Sequence, residues 1–355
     1  MNEDKKRENW IDLAKGIGIL CVLVGHSGPR NNAWMIWLVN VIYAFHMPLF
    51  FFLSGYVFSV KKDWKNFLVG KIRSLVIPYY VLGAINLAFV TLMKHPTISK
   101  QDFSFIAALK QYILQDRFGV LWYICVLFCI EIMMYWLIKW CENSNRRLIM
   151  SMCVIGLIGI LYNAFIGKEL YFSLDILPMA VPFFGGGYLC KNSNKNGIFV
   201  KTKFTRVIID GIIALLFSII NIYCFIHSHV DMYFGKYGNY LLFYVSAFLY
   251  IFVIVWLCQN IYQKFPGVKA VEFIGRNSML YYALHMWVSF VICGDILEKL
   301  CLFQGCSLID NVMRSGIMVI SSLCVWTIVT VVISKWKYCW IFGVKHNLLS
   351  DNKKD

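Results

Sequence analysis

The sequence predicts an all-α membrane protein, a single bundle of about ten transmembrane helices with both termini in the cytosol. Of its 355 residues, 59% are apolar and only 15% are charged, whereas soluble domains carry about 25% charged residues. Ten apolar segments approach the roughly 20 residues that a spanning helix needs. Lys and Arg collect in alternate loops, as in membrane proteins of fixed orientation. This composition disfavours a soluble enzyme, a nucleic-acid-binding module and a disordered protein.

The ten apolar segments follow one another without a long linker, so residues 1–355 are predicted to form one transmembrane domain. Helices satisfy their own backbone hydrogen bonds in lipid, which an open sheet cannot do. The first segment is interpreted as a retained span, because no small-residue cleavage pattern follows it. The predicted spans cover residues 10–27, 34–60, 74–93, 120–141, 148–166, 173–190, 205–226, 239–262, 276–293 and 312–334.

The net charge of +15 follows from the predicted topology and does not indicate a nucleic-acid partner. With the N-terminus in the cytosol, 24 of the 34 Lys and Arg residues lie in cytosolic segments, nine lie in outer segments, and Lys15 lies within the first span. Cytosolic loops of membrane proteins carry such an excess. The long outer segment 94–119 mixes apolar and charged residues, which predicts a short helix along the membrane interface.

Three ionisable residues share one stripe of the first span. At 100° per residue, Lys15 and His26 point within about 20° of each other, and Asp12 lies within about 60° of both. Lys15 is expected near the cytosolic end, with His26 about 16 Å further along the helix. Ionisable groups inside a membrane are functional candidates. The alternatives are a Lys15 that reaches the inner headgroups and a His26 that is wetted from outside.

Further polar groups fall within later spans. His46 precedes Pro48 in the second span, and Asn277, Ser278, Tyr282 and His285 belong to the ninth. Such groups either serve function or hydrogen-bond neighbouring helices.

Two carboxylates also lie in apolar segments, Glu131 in the fourth span and Asp175 near the outer end of the sixth. Glu131 is expected to pair with a histidine or with Lys15. Pro182 and the run Gly185–Gly187 indicate a bent or broken sixth span. The intramembrane histidines lack the close pairing typical of zinc sites, so we expect no metal.

Several blocks of sequence resemble the acyltransferase family 3 membrane proteins. The more specific ones are NWIDLAKG at 9–16, VGHS at 24–27, FHMPLF at 45–50 and SGY at 54–56. The later blocks LWY at 121–123, SLD at 173–175, YGN at 237–239 and IGRNS at 274–278, continuing to His285, look like its fucose O-acetylase-like branch.

The resemblance implies a multi-pass enzyme of the bacterial cytoplasmic membrane. Such an enzyme transfers an acetyl group from cytosolic acetyl-CoA to a hydroxyl of a cell-surface or lipid-linked glycan. The family's spacing of a basic residue and a histidine falls on Lys15 and His26, with Lys where Arg is frequent. A histidine suits a general base near neutral pH.

On this interpretation the candidate residues fall into three roles. The catalytic candidates are His26, Asp12, His46 and His285; those for the CoA phosphates are Lys15, Lys71 and Arg73; those for substrate are Ser54, Trp122, Glu131, Asp175, Asn277, Ser278 and Tyr282.

Two other classes of function remain open. A transporter or flippase for a glycan or lipid would use the histidines as a proton relay. A membrane anchoring or sensing module would carry out no chemistry. The enzyme is favoured because no internal repeat is visible, because Lys15 and His26 share a stripe, and because of the resemblance.

The distribution of basic residues predicts the sidedness of individual loops. Reporter fusions at residues 110 and 230 should show both positions outside the cytosol, because the outer segments of this topology hold nine Lys and Arg residues against 24 in the cytosolic segments. A cytosolic signal from either fusion would contradict the topology.

Overall fold

The chain folds into a bundle of α-helices. The computed structural model describes residues 8–27, 32–93, 104–142, 144–193, 202–226, 229–261 and 268–346. Within these ranges the sole strand-like pairing is one isolated antiparallel bridge between Asp231 and Lys236. The predicted all-α fold class is confirmed.

The helices are numbered in chain order. They are α1 (Asn9–His26), α2 (Ala33–Val57), α3 (Trp64–Lys71), α4 (Ile77–Met93), α5 (Phe105–Leu114), α6 (Trp122–Trp140), α7 (Asn145–Phe165), α8 (Leu177–Ser193), α9 (Phe204–Asn221), α10 (Tyr240–Ile261), α11 (Val268–Arg276), α12 (Ser278–Leu284), α13 (Val291–Lys299) and α14 (Leu308–Ser334).

Nine helical segments of the described chain are long and apolar enough to cross a membrane, and they coincide with nine of the ten predicted spans. The remaining predicted span is α1, which is 18 residues long. It is not among the nine because Asp12, Lys15 and His26 make it less apolar. The protein is therefore a multi-pass membrane protein, and its orientation stays a prediction.

The predicted outer helix is present as α5, which begins after Ser104, whose side chain accepts a hydrogen bond from the Ala107 amide. This N-terminal cap satisfies one of the amides that a helix start leaves unpaired. Its membrane depth stays a prediction, and residues 94–103 of the predicted segment lie outside the described chain. Cys301 and Cys306 are not joined in a disulfide.

Glycines bring α2 and α8 into close contact. The Gly185–Gly187 run was expected to bend or break the span; α8 is unbroken from Leu177 to Ser193, and a bend stays a prediction. A Cβ at Gly187 would collide with the Phe52 carbonyl oxygen, and one at Gly55 with the Phe184 carbonyl oxygen. Small residues at such contacts allow backbones to approach, as is common between membrane helices.

The first helix lies inside the bundle. It packs against α2, α10, α11, α12 and α14. A Cβ at Gly16 would meet the Val271 carbonyl of α11, and one at Gly275 would meet the Asp12 carbonyl. This contact surrounds α1 with protein on several sides, so its polar residues need not face lipid.

Three π-helical segments interrupt the α-helices. The segment Ile72–Val76 joins α3 to α4, Ile222–Ile226 follows α9, and His285–Phe290 joins α12 to α13. A π-turn inserts an extra residue and changes the direction of the side chains that follow. The third segment begins at a histidine that the sequence analysis had selected.

The close contact between α2 and α8 predicts the effect of adding one methyl group. Gly187→Ala should lower thermal stability in detergent by roughly 1–3 kcal/mol, because a backbone carbonyl cannot move aside for the new Cβ. Gly70→Ala is the control, because nothing lies within 4 Å of a Cβ at that helical glycine. An equal effect of the two substitutions would contradict the packing argument.

Candidate functional site

A large cavity opens beside the N-terminal half of α1, between α2, α8 and α11. Its volume is about 970 Å³. It is named the basic cavity here because five cationic and two acidic side chains of the described residues line it. They are Lys15, Lys61, Lys191, Arg276, Lys345, Glu8 and Asp12.

The two carboxylates of the basic cavity hold two of its cations in place. Glu8 is ion-paired with Lys191 and also accepts hydrogen bonds from Tyr56 (3.1 Å) and Trp10 (3.0 Å). Asp12 is only 5% exposed, and its Oδ2 lies 3.4 Å from Nε of Arg276. The cavity thus keeps an excess of positive charge, which suits an anionic ligand.

A smaller cavity continues from the basic cavity into the bundle. It has a volume of about 160 Å³, and both cavities are lined by Lys15 and Ser278. Its other polar lining residues are Ser54, Tyr123 and Tyr282, and the Ser54 and Tyr123 hydroxyls are hydrogen-bonded at 3.1 Å. We call it the narrow cavity. Its remaining lining residues are Ile19, Phe50, Leu75, Ile124, Leu127 and Met279.

Two histidines meet further along the helices that line the narrow cavity. His26 lies two turns beyond Ile19 on α1, and His285 lies one turn beyond Tyr282. Their ring centroids are 5.3 Å apart. The two cavities and this histidine pair therefore follow one another along α1 and α12.

The tautomer of the neutral His285 ring follows from its hydrogen bonds. Nδ1 lies 2.8 Å from the carbonyl oxygen of Tyr282 and 3.2 Å from that of Tyr281. Carbonyls only accept, so Nδ1 carries the proton and Nε2 carries the lone pair. Nε2 is buried and has no hydrogen-bond partner among the described residues. His285 thus presents an acceptor beside His26.

A tyrosine joins His26 to two more histidines. The Tyr43 hydroxyl lies 3.4 Å from Nδ1 of His26. The Tyr43 ring meets the rings of His46 and His229 at centroid distances of 4.9 and 4.7 Å. These four histidines and Tyr43 form what we call the histidine cluster.

Two members of the cluster are held by their own partners. Nδ1 of His46 donates to the Ile42 carbonyl at 2.9 Å, which fixes that ring against α2. Nε2 of His229 lies 3.3 Å from the Asp231 carboxylate. Asp231 is anchored in a short hairpin by its paired backbone bonds with Lys236.

Sequence analysis missed Tyr43, His229, Asp231 and Tyr123. Tyr43 lies three residues before His46 on the same helix, so helical spacing could have identified it. His229 and Asp231 lie in a connection between α9 and α10. No sequence period relates such a loop to α1, and only the folded chain brings it there.

The structure brings all four catalytic candidates and several substrate candidates into this arrangement. Asp12, Lys15 and His26 all lie against other helices, in accordance with their shared stripe. The basic cavity contains Asp12 and Lys15; the narrow cavity contains Lys15, Ser54, Ser278 and Tyr282; the histidine cluster contains His26, His46 and His285.

The predicted partner of Glu131 was wrong. Its Oε1 lies 2.8 Å from Nζ of Lys71, and no histidine of the described chain forms its ion pair. Lys71 is the last residue of α3, directly before the π-helical segment that packs against α6, and Lys15 acts on this carboxylate as a further charge. The guanidinium of Arg73 lies 4.4 Å from the Trp340 ring. Neither Lys71 nor Arg73 lines the basic cavity.

Three other substrate candidates make structural contacts. Asp175 is ion-paired with Arg117 at 2.6 Å. Trp122 is buried and packs against Phe51. The side-chain amide of Asn277 donates to the carbonyl oxygen of Phe273, one helical turn earlier. Tyr282 lines the narrow cavity, but its hydroxyl donates to the Val120 carbonyl.

The expected absence of a metal stays a prediction. The described ranges contain no group of three or more His, Cys, Asp or Glu side chains that could hold an ion.

Comparison with known proteins identifies one family. The family model Acyl_transf_3, described as an acyltransferase domain, matches residues 8–335. No curated protein matches the chain. No solved structure matches it. The narrower likeness to a fucose O-acetylase-like branch stays a prediction.

The contact between Lys71 and Glu131 predicts a structural role for this lysine. Lys71→Met should destabilise the protein by roughly 3–5 kcal/mol, because it leaves a buried carboxylate unpaired. Arg147→Met is the control, since the Arg147–Glu142 pair is exposed and such pairs contribute about 0–1 kcal/mol. Thermal unfolding in detergent measures the stability of both variants against the wild type.

A second substitution completes this test. Lys71→Met combined with Glu131→Leu should regain much of the lost stability, because no buried charge remains. If Lys71→Met were as stable as Arg147→Met, the structural role would be refuted.

Proposed function

Because this chain belongs to the acyltransferase 3 family, we propose that it is an integral membrane O-acyltransferase. It moves an acetyl or similar short acyl group from cytosolic acyl-CoA to a hydroxyl of a cell-surface or lipid-linked glycan. The observation that carries this proposal is the continuity of the site. Lys15 and Ser278 line both cavities, and the helices that bear them lead on to His26 and His285.

The basic cavity supports the choice of donor. CoA carries several phosphates at one end, and a pocket with five cations and two carboxylates favours such an anion. Its volume of about 970 Å³ lies at the upper end for small-molecule sites, which suits a nucleotide. The cation excess of the loops on this side agrees with a cytosolic opening.

The narrow cavity supports a path for the pantetheine arm. This arm is slender, carries two amides and ends in the thioester. Apolar side chains line most of the cavity, while Ser54, Tyr123 and Ser278 offer hydroxyls for the amides. The distance from Lys15 to His26 is about 16 Å along α1, and an extended arm can cover it.

The reaction at the far end of this path needs a base. His26 takes the proton from the acceptor hydroxyl, and the oxygen attacks the thioester carbonyl. The carbon–sulfur bond then breaks, and the sulfur takes the proton from His26 and leaves as CoA thiol. An acyl-histidine intermediate is the alternative. His46 and His285, with Nδ1 bound to carbonyls, contribute neutral acceptors nearby.

The acceptor is proposed to approach the histidine cluster from the outer face of the cytoplasmic membrane. In the predicted topology, the hairpin with His229 and Asp231 lies at that face, and its polar groups suit a carbohydrate hydroxyl. No metal cofactor is proposed.

A transporter or flippase is the competing function, because buried histidines also serve as proton relays. Thioester cleavage separates the two. Purified protein in lipid nanodiscs should release CoA from acetyl-CoA only when an acceptor glycan is present, and the glycan should gain 42 Da, the mass of one acetyl in place of one hydrogen. Glycan movement without CoA release would identify a transporter.

Lys15 and His26 should have separable roles. His26→Ala should cut turnover by roughly 10²–10⁴-fold while acetyl-CoA still binds, because only the base is lost. Lys15→Ala should chiefly weaken acetyl-CoA binding, and Lys15→Arg should retain much of the function because the charge remains. Binding and transfer are measured on folded variants, with the exposed His346→Ala as control.

Two outcomes would contradict this assignment. Loss of acetyl-CoA affinity in His26→Ala with normal affinity in Lys15→Ala would reverse the roles. Near-normal transfer by His26→Ala would leave His46 or His285 as the base.

A further inference from the structure

We infer that Tyr43 is the positioning residue of His26: its hydroxyl oxygen accepts the Nδ1 proton of His26 and so leaves the lone pair on Nε2. The inference rests on the proposed function, in which His26 is the base, and it adds a residue that the sequence analysis did not select. A base can act only through an unprotonated nitrogen, so the partner of the other nitrogen decides which one reacts.

The first observation is the placement of the Tyr43 hydroxyl. It lies 3.4 Å from Nδ1 of His26, and the side chain is only 7% exposed. Catalytic hydrogen bonds are often this long without substrate and tighten when it binds.

The second observation is that the backbone of α1 makes room for this ring. A Cβ at Gly25 would lie 3.0 Å from Cε2 of Tyr43, which is tighter than ordinary contact. The glycine directly before His26 therefore lets the Tyr43 ring lie close against α1. A ring packed only to fill space would not require its hydroxyl to face the histidine.

The third observation concerns the surroundings of the Tyr43 ring. His46 and His229 contact it edge-on, and each has its own fixed partner, the Ile42 carbonyl for His46 and Asp231 for His229. Two separately anchored rings therefore restrict the movement of Tyr43. A rigid partner fixes the orientation of a catalytic imidazole better than a mobile one.

His285 can stabilise the protonated form of His26. Its Nε2 is an acceptor, buried and without a hydrogen-bond partner among the described residues, and its ring lies 5.3 Å from that of His26. When His26 takes the acceptor proton on Nε2, a nearby lone pair stabilises that N–H. In that imidazolium, Tyr43 accepts from Nδ1–H, and His285 is a neighbouring acceptor.

The test measures the tautomer directly and needs no turnover. The full chain in lipid nanodiscs is labelled with ¹⁵N-histidine, and the signals of His26 among the seven histidines are assigned by their loss in His26→Gln. Wild-type His26 should show a protonated Nδ1 and an unprotonated Nε2. In Tyr43→Phe, which keeps the ring, this preference should be lost.

Kinetics give the second measurement. Tyr43→Phe should lower kcat by about 10- to 100-fold with an unchanged KM for acetyl-CoA. This loss should be smaller than the ~10⁴-fold loss of kcat in a serine protease whose catalytic histidine is forced into the wrong tautomer. In Tyr43→Phe, both tautomers of His26 remain accessible. Tyr244→Phe is the matched control. It removes a comparable hydroxyl, which donates to the Met179 carbonyl at 3.0 Å, away from the histidine cluster.

The possible outcomes separate this inference from the proposed function. A wild-type His26 with its proton on Nε2 overturns the role of Tyr43, even if Tyr43→Phe does not fold. Equal kcat values for Tyr43→Phe and the wild type do so as well. Absence of acyl transfer by the wild type would refute the proposed function, while the nitrogen signals would still test the contact between Tyr43 and His26.

Discussion

The cost of placing ionisable groups within a bilayer governs this structure. Asp12, Lys15 and His26 all belong to one helix, and each charged group near the membrane centre costs at least about 2.5–3.5 kcal/mol when it faces lipid. The bundle avoids this cost by surrounding α1 with other helices. Gly16 and Gly275 allow α11 to approach the backbone of α1. Arg276, at the end of α11, then lies where it can pair with Asp12.

This enclosure also creates the site. Because polar residues on α1 need partners, the helices around it contribute a basic cavity, a narrow cavity and a histidine cluster in succession. Charge decreases along this series, from lysines and arginine through hydroxyls to imidazoles and a tyrosine. In the function that we propose, the same order matches acyl-CoA, with its phosphates, its amide-bearing arm and its thioester.

Sequence periodicity predicted the parts of the fold that depend on apolar segments. The predicted spans coincide with observed helices, and the stripe of α1 faces the bundle interior. Both follow from the spacing of apolar and polar residues along a single helix. Close packing was harder to predict. The glycine run of α8 permits contact with α2 and does not break the helix, a distinction that depends on the facing Phe52.

The site was predictable only where single helices determine it. Lys15 and His26 share a face of α1, and spacing alone shows this. The pairing of Glu131 with Lys71 joins residues 60 positions apart, and the approach of His229 to Tyr43 depends on a loop distant in sequence. No sequence pattern specifies either contact, so both emerged only from the structure.

The central claim is that the acyl donor enters through the basic cavity and reaches His26 through the narrow one. The most direct measurement is a cryo-EM map of the protein in nanodiscs with a non-hydrolysable thioether analogue of acetyl-CoA. The account predicts nucleotide density among Lys15, Lys191 and Arg276, with the acyl end beside His26. Nucleotide density outside the basic cavity, or an acyl end remote from His26, would contradict it.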